Sequence, residues 1–232
     1  MKVIKISCAG ADDSNSITEL SEFLKSYPDA ELGIQISKTQ EGTPEYPSLK
    51  WLYSLMEATD NTRQICLHIN GHWSREMAKG VVPSEVMALL DFNDSLGRIQ
   101  LNFNAKRDNI GFQGIKKMIG LTHLSVVLQY NDNNAILLNN LITQKVALDV
   151  LFDASLGLGI SPLVFPSPIE DYFCAWAGGM SPENILDRLE VISKMTKDNI
   201  GIDAQRALRV NHVFNVRRAE ELVKACRFFS TS

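Results

Sequence analysis

The chain has 232 residues, 45% hydrophobic and 22% charged, which is long and apolar enough to bury one sizeable core. Its net charge of −4, with no basic stripe, speaks against a nucleic-acid partner, and no apolar run reaches the length of a membrane span or a secretory leader. Four widely spaced cysteines, Cys8, Cys66, Cys174 and Cys226, form neither a metal-like pair nor a disulfide framework, which points to a reduced, cytoplasmic setting.

In chain order, short β-like runs alternate with segments whose apolar residues recur at helical spacing. The first run, Val3–Ser7, precedes a helical face of Ile17, Leu20, Phe23 and Leu24. The second, Leu32–Ser37, is followed by Leu49, Leu52, Leu55 and Met56. The third, Gln64–Asn70, leads to Val86, Leu89 and Leu90 behind Pro83. After the fourth, Arg98–Asn102, a weaker helical face of Ile110, Ile115, Met118 and Ile119 is loosened by Gly111 and Gly114. The fifth, His123–Gln129, precedes Leu137, Leu138, Leu141 and Ile142. The sixth, Val146–Phe152, breaks the pattern, because residues 154–170 hold three prolines and at most one helical turn. The seventh, Tyr172–Ala177, runs into Gly178 and Gly179 and then a helix with Ile185, Leu189 and Ile192. The eighth, Asn199–Asp203, precedes a closing helix with Val216, Ala219, Leu222, Val223 and Cys226.

Strands that alternate with helices pair in parallel through right-handed crossovers. Eight such units in this length fit a (β/α)8 TIM barrel, a single domain over residues 1–232. The rival, a doubly wound open sheet, lacks its G-x-G-x-x-G fingerprint here, since CAGADDSNS follows the first run.

Barrel active sites lie at the C-terminal ends of the strands, and barrel strands alternate between lumen and helix layer. Polar residues of one parity recur near those ends: Lys5 and Ser7, Gln35 and Ser37, His68 and Asn70, Gln100 and Asn102, Gln129, Asp149 and Asp153, and Asp203. Together they describe a polar pocket at one mouth. Interior polar residues that only satisfy one another would give the same pattern. His68 has the chemistry of a general base near neutral pH and equally of a hydrogen-bonded interior histidine. Trp73 and Trp176 fit a pocket wall, and more commonly plain packing.

The Gly178–Gly179 pair sits between a buried strand and a helix start with Ser181 at the N-cap and Pro182 at the first helical position. Bare backbone at a helix N-terminus suits an anion, and equally a tight turn.

Several of these segments resemble the phosphoribosylanthranilate isomerase family. AWAGGMSPENI is similar to its Ala-Gly-Gly-x-x-Pro-Glu-Asn stretch after strand seven, and IGID to its Gly-x-Asp segment in strand eight. VIKIS, IQLNF and FDASLGLG resemble its first, fourth and sixth strands, in the right order across nearly the whole chain. The resemblance implies a (β/α)8 barrel that converts an aminoaldose phosphate into an aminoketose phosphate by an Amadori rearrangement, as in tryptophan biosynthesis. It implies Asp153 as general acid, Ser7 or Cys8 at the position of the general base, and Gly178 and Gly179 as phosphate binders. Lys5, Asn70, Gln100, Asn102, Asp203 and Arg206 are expected around the substrate.

The chain departs from the family at four places. The sixth loop reads GLGIS, where the family has Gly-Gly-Thr-Gly or close to it. Lys5-Ile6-Ser7 stands for Lys-Ile-Cys. Asp203-Ala204-Gln205-Arg206-Ala207 stands for Asp-Val-Ser-Ser-Gly. The second loop, SKTQEGTPEYPS, has Lys38 but no arginine for the anthranilate carboxylate. Period-two alternation also turns Cys8 away from the lumen. A phosphorylated sugar is the expected partner, with no metal or other cofactor, on a monomer or homodimer. Two alternatives stand beside the isomerase: a barrel with His68 or Lys5 as base for another phosphorylated or carboxylated substrate, and a catalytically decayed barrel that only binds a ligand.

Overall fold

A computed structural model describes residues 1–153, 162 and 164–231. Eight parallel strands close into a barrel in sequence order: β1 (Lys2–Ala9), β2 (Ala30–Ile36), β3 (Ile65–Ile69), β4 (Leu96–Leu101), β5 (Ser125–Tyr130), β6 (Asp149–Phe152), β7 (Cys174–Trp176) and β8 (Asn199–Ala204), with β8 paired back to β1. The helices are α1 (Ile17–Ser26), α2 (Leu49–Ala58), α3 (Gly71–Ala78), α4 (Ser84–Leu90), α5 (Ala105–Asp108), α6 (Phe112–Ile119), α7 (Ala135–Thr143), α8 (Ile185–Ser193) and α9 (Val216–Thr231). This is the (β/α)8 architecture that the alternation of apolar patterns implies. Among the described residues, no helix is long and apolar enough to cross a membrane.

Alternation along the strands divides the interior in two. Ile6 and Cys8 on β1, Leu32 and Ile34 on β2, and Ile200 and Ile202 on β8 belong to the large core between strands and helices. Val127, Leu151, Ala175 and Ala177 form a separate small apolar cluster inside the barrel. Gly33 and Gly201 leave room in the lumen. A Cβ on Gly33 would lie 2.7 Å from the His68 ring, and one on Gly201 would lie 2.9 Å from Ala175 Cβ.

Three features differ from the sequence expectation. The third crossover carries an additional helix, α3, which starts at Gly71 in the left-handed region (φ 62°) and buries Trp73 and Met77. Residues 209–214 form a small antiparallel hairpin, β9 (Arg209–Val210) and β10 (Val213–Phe214), joined by Asn211 and His212, both at positive φ. Two such residues make the turn type that suits hairpin twist. Finally, α8 begins at Ile185 rather than after Ser181. Ser181–Asn184 form a preceding turn, tied by Ile185 N–H to Ser181 C=O (3.0 Å) and by Asn184 Nδ2 to Gly179 C=O (2.8 Å).

Candidate active site

Parity fixes which way a strand residue faces but not its height, and the lumenal polar residues separate into three groups. The lowest is a charge cluster. Arg98 on β4 forms a buried ion pair with Glu31 on β2 and donates to Asp149 on β6 at 3.2 Å, while Lys5 Nζ lies 3.9 Å from Glu31. Burial works against the Glu31 carboxylate, yet Arg98 beside it holds its pKa below the usual range. Burial raises that of Asp149, with Arg98 opposing. Lys5 therefore belongs to a structural network low in the barrel, contrary to its expected place around the substrate. Sequence inspection assigns no role to Glu31 or Arg98, although a charge within an otherwise apolar strand is the signal that marks them.

The second group is a chain of amides across β8, β2, β3 and β4. Gln205 donates to Glu45 (2.6 Å), Gln35 to Gln205 (3.2 Å), Asn70 to Gln35 (2.6 Å), Asn102 to Asn70 (3.0 Å) and Gln100 to Asn102 (2.9 Å). Asn70, Gln100 and Asn102 thus lie in one hydrogen-bonded chain and satisfy one another.

The third group opens to solvent on the β6–β8 side. A cavity of 910 Å³ is lined by Asp153, Ala177, Gly178, Gly179, Met180, Asp203 and the segment after β8, including Arg206. Asp153 is buried and accepts from Gln129 Nε2 at 3.3 Å. Gly178 (φ 97°) and Gly179 (φ 64°) lie in the left-handed region that glycine enters without strain. Among the described residues, neither glycine N–H has an acceptor. Arg206 is exposed at the rim and has no ion-pair partner among the described residues. The GLGIS part of the sixth loop lies outside the described residues.

Among the described residues, Ser7 Oγ, His68 Nε2 and Asp203 Oδ1 are buried lumenal atoms without a hydrogen-bond partner. Ser7 and Asp203 are register partners on β1 and β8. Burial pushes the Asp203 carboxyl up to about 7. Asp153 and Glu31 add to the shift, while the neighbouring Ser7 hydroxyl and Arg98 oppose it. The Ser7 contact lacks full hydrogen-bond geometry, so both atoms remain open to a ligand. His68 is driven down to about 4, chiefly by burial, so its imidazole is neutral at physiological pH. Cys8 lies in the core behind β1 and faces Cys226 of α9, and burial raises its thiol well above the usual value. That placement removes it from the candidate bases. Trp176 is also a core residue, stacked near Phe152 and donating to Pro166 C=O at 3.1 Å.

Arg209, which sequence reasoning missed, closes the β1–β8 side of the mouth. Its guanidinium bonds Gly10 C=O and His212 C=O and pairs with Asp12 (3.3 Å) and Glu45 (3.4 Å). Burial opposes ionisation of Asp12, but hydrogen bonds from Ser14 and from Glu45 N–H, together with Arg209, hold its pKa below the ordinary carboxylate value.

Solved structures share this barrel fold. TrpF from Jonesia denitrificans superposes with a TM-score of 0.66 over 98% of this chain and 98% of its own, at 14% identity. N-(5'-phosphoribosyl)anthranilate isomerase from Pyrococcus furiosus gives 0.60 over 97% and 99%, at 16% identity. The fold is that of the phosphoribosylanthranilate isomerases. A wider likeness extends to 3-hexulose-6-phosphate synthase from Salmonella typhimurium, with a TM-score of 0.51 over 96% and 98% at 12% identity. No protein-family model and no curated protein matches the sequence. In this barrel the cavity opens at the C-terminal ends of β6, β7 and β8, the face on which barrel enzymes carry their chemistry.

Proposed function

We propose that the chain is a sugar-phosphate isomerase of the phosphoribosylanthranilate isomerase type, acting by an Amadori rearrangement as in tryptophan biosynthesis. The supporting observation is that Asp153 and the Gly178–Gly179 turn line one cavity. Two glycines at positive φ present backbone N–H groups without side chains in the way, an arrangement suited to phosphate oxygens. Arg206 at the rim adds a positive charge. Asp153, buried beside that anchor, is positioned to protonate the ring oxygen as the sugar opens. Ser7 occupies the base position of strand one, and the amide chain from Gln35 to Gln100 supplies neutral donors and acceptors for the rest of the substrate.

The test is turnover of phosphoribosylanthranilate, followed by loss of substrate fluorescence, in the wild type and in Asp153→Asn. Loss of at least about 100-fold in the variant is expected, the usual scale for one acid–base group. Undiminished turnover would remove Asp153 from the chemistry.

One observation favours a second substrate class. The β2–β4 half of the mouth offers amides, and Lys38 after β2 is 3.9 Å from Glu85. A sugar phosphate with an uncharged aglycone would suit those amides better than one with a carboxylate. Binding of ribose 5-phosphate without turnover of phosphoribosylanthranilate would favour that class.

A further inference from the structure

An Amadori rearrangement must remove a proton from C2, and a serine hydroxyl without an adjacent base takes it poorly. The lumen provides that base. Ser7 and Asp203 are paired across β1 and β8, and both share the lumen-facing parity opposite Ile6, Cys8, Ile202 and Ala204, which lie in the outer core. Ser7 is 3% exposed. Its Oγ and Asp203 Oδ1 are both buried and, among the described residues, have no hydrogen-bond partner. Unpartnered buried polar atoms are uncommon in folded proteins and costly to keep. Two of them side by side mark a place where a ligand's polar group completes the structure. Asp203 also lines the cavity that holds Asp153 and the glycine turn.

We propose that Asp203 is the general base of this barrel, taking the C2 proton of the opened sugar while Ser7 orients the substrate hydroxyl beside it. This rests on the isomerase function proposed above. The steps balance without an outside reagent. Asp153 gives its proton to the ring oxygen, the C1–O bond breaks, and the nitrogen lone pair forms the C1=N bond of an iminium. Asp203 then takes the C2 proton, and those electrons form C1=C2 as the nitrogen recovers its lone pair. Finally C1 takes the proton from Asp203, and the enol O–H gives its proton to the Asp153 carboxylate as C2=O forms. Both carboxyl groups return to their starting states.

The Asp153 charge is among the causes that raise Asp203, so the proton that Asp153 carries as the acid relieves that part of the shift and leaves Asp203 ionised as the base. Asp203 is faced by Ser7 on β1, Glu31 on β2, Arg98 on β4 and Asp153 on β6, with the Cys8 and Cys66 thiols near. Glu45, Arg206, Arg209 and His212 stand around the cavity. A carboxylate raised to about 7 is a stronger base than an ordinary one and is still substantially ionised at neutral pH. His68, at about 4, is weaker by roughly three orders of magnitude in proton affinity.

The experiment is the pH dependence of kcat/KM for phosphoribosylanthranilate between pH 5.5 and 9, for wild type, Asp203→Asn and Asp203→Glu. Wild-type activity is expected to rise through about pH 7. Asp203→Asn is expected to lose at least about 100-fold in kcat, with KM changed much less and the rising limb gone. Asp203→Glu, which keeps the carboxylate, is expected to recover part of the rate and covers the case of a poorly folding asparagine variant. Active Asp203→Asn with the wild-type pH limb would overturn the base while leaving the isomerase function standing. Wild-type activity that falls through pH 7 would overturn it too, because Asp203 would then act protonated. A wild type without turnover would overturn both.

Discussion

Replacing Asp203 with asparagine is expected to stabilise the folded protein, and to do so more as the pH rises. The folded carboxyl is held at about 7 against 3.8 for the ordinary group, with burial as the main cause. Between those values the folded chain keeps a proton that the unfolded chain has released. Wild-type stability therefore falls as pH climbs from about 4 to about 7 and levels off above. Three pKa units at about 1.4 kcal/mol each give roughly 4 kcal/mol as an upper bound. The open cavity beside Asp203 admits water, so about 2 kcal/mol is the working expectation. Asparagine has nearly the same shape and does not titrate, so the variant lacks this slope. His68 titrates in the opposite sense, its pKa lowered to about 4, but it is present in both proteins and cancels in the difference. The assay is urea unfolding of both proteins at pH 5, 6, 7 and 8, compared at equal m-values. The gap in unfolding free energy should widen in favour of the variant across that series. A gap that stays flat would refute the account of a carboxyl raised by burial. A stability cost of this kind at an active-site group is common where function requires it.

Two further substitutions probe the rest of the lumen. Arg98→Met leaves Glu31 and Asp149 without their shared cation and is expected to cost about 3–5 kcal/mol in urea unfolding, the scale for breaking a buried pair from one side. An unchanged midpoint would show that Lys5 alone suffices. Cys8→Ala is expected to lower stability by about 1–2 kcal/mol through lost packing and to leave kcat/KM for phosphoribosylanthranilate within about twofold. Loss of turnover would return Cys8 to the chemistry.

The barrel was legible because each strand carries apolar residues for the outer core at one parity, and because turns and helical faces separate the strands at regular intervals. Helix α3 was not, since its start at Gly71 follows the strand directly and its buried face is short. The glycine pair stood out correctly as positive-φ backbone. The start of α8 was misplaced because Ser181 and Pro182 carry the usual residue types for a helix entry, while the Asn184 side chain holds that segment in a turn. Height along the lumen was the larger loss. Lys5, Ser7 and Asp203 share a facing, yet Lys5 reaches Glu31 in the low charge cluster, whereas Ser7 Oγ and Asp203 Oδ1 have no hydrogen-bond partner among the described residues. Arg209 escaped notice because its partners on the β1 and β2 loops, Gly10, Asp12 and Glu45, lie about 160 residues or more away in sequence, where local pattern carries no information.

The account centres on a sugar phosphate held at the turn after β7, independent of which aglycone it carries. Calorimetric titration with ribose 5-phosphate and with ribose, on the wild type and on Gly179→Val, measures that most directly. Valine is strained at φ 64° and its side chain crowds the approach to the N–H groups. The account predicts binding of ribose 5-phosphate by the wild type, at least tenfold weaker binding of ribose, and a comparable loss in the variant, each tenfold being about 1.4 kcal/mol. Equal affinity for ribose and ribose 5-phosphate, or an unchanged dissociation constant in a folded Gly179→Val, would contradict it.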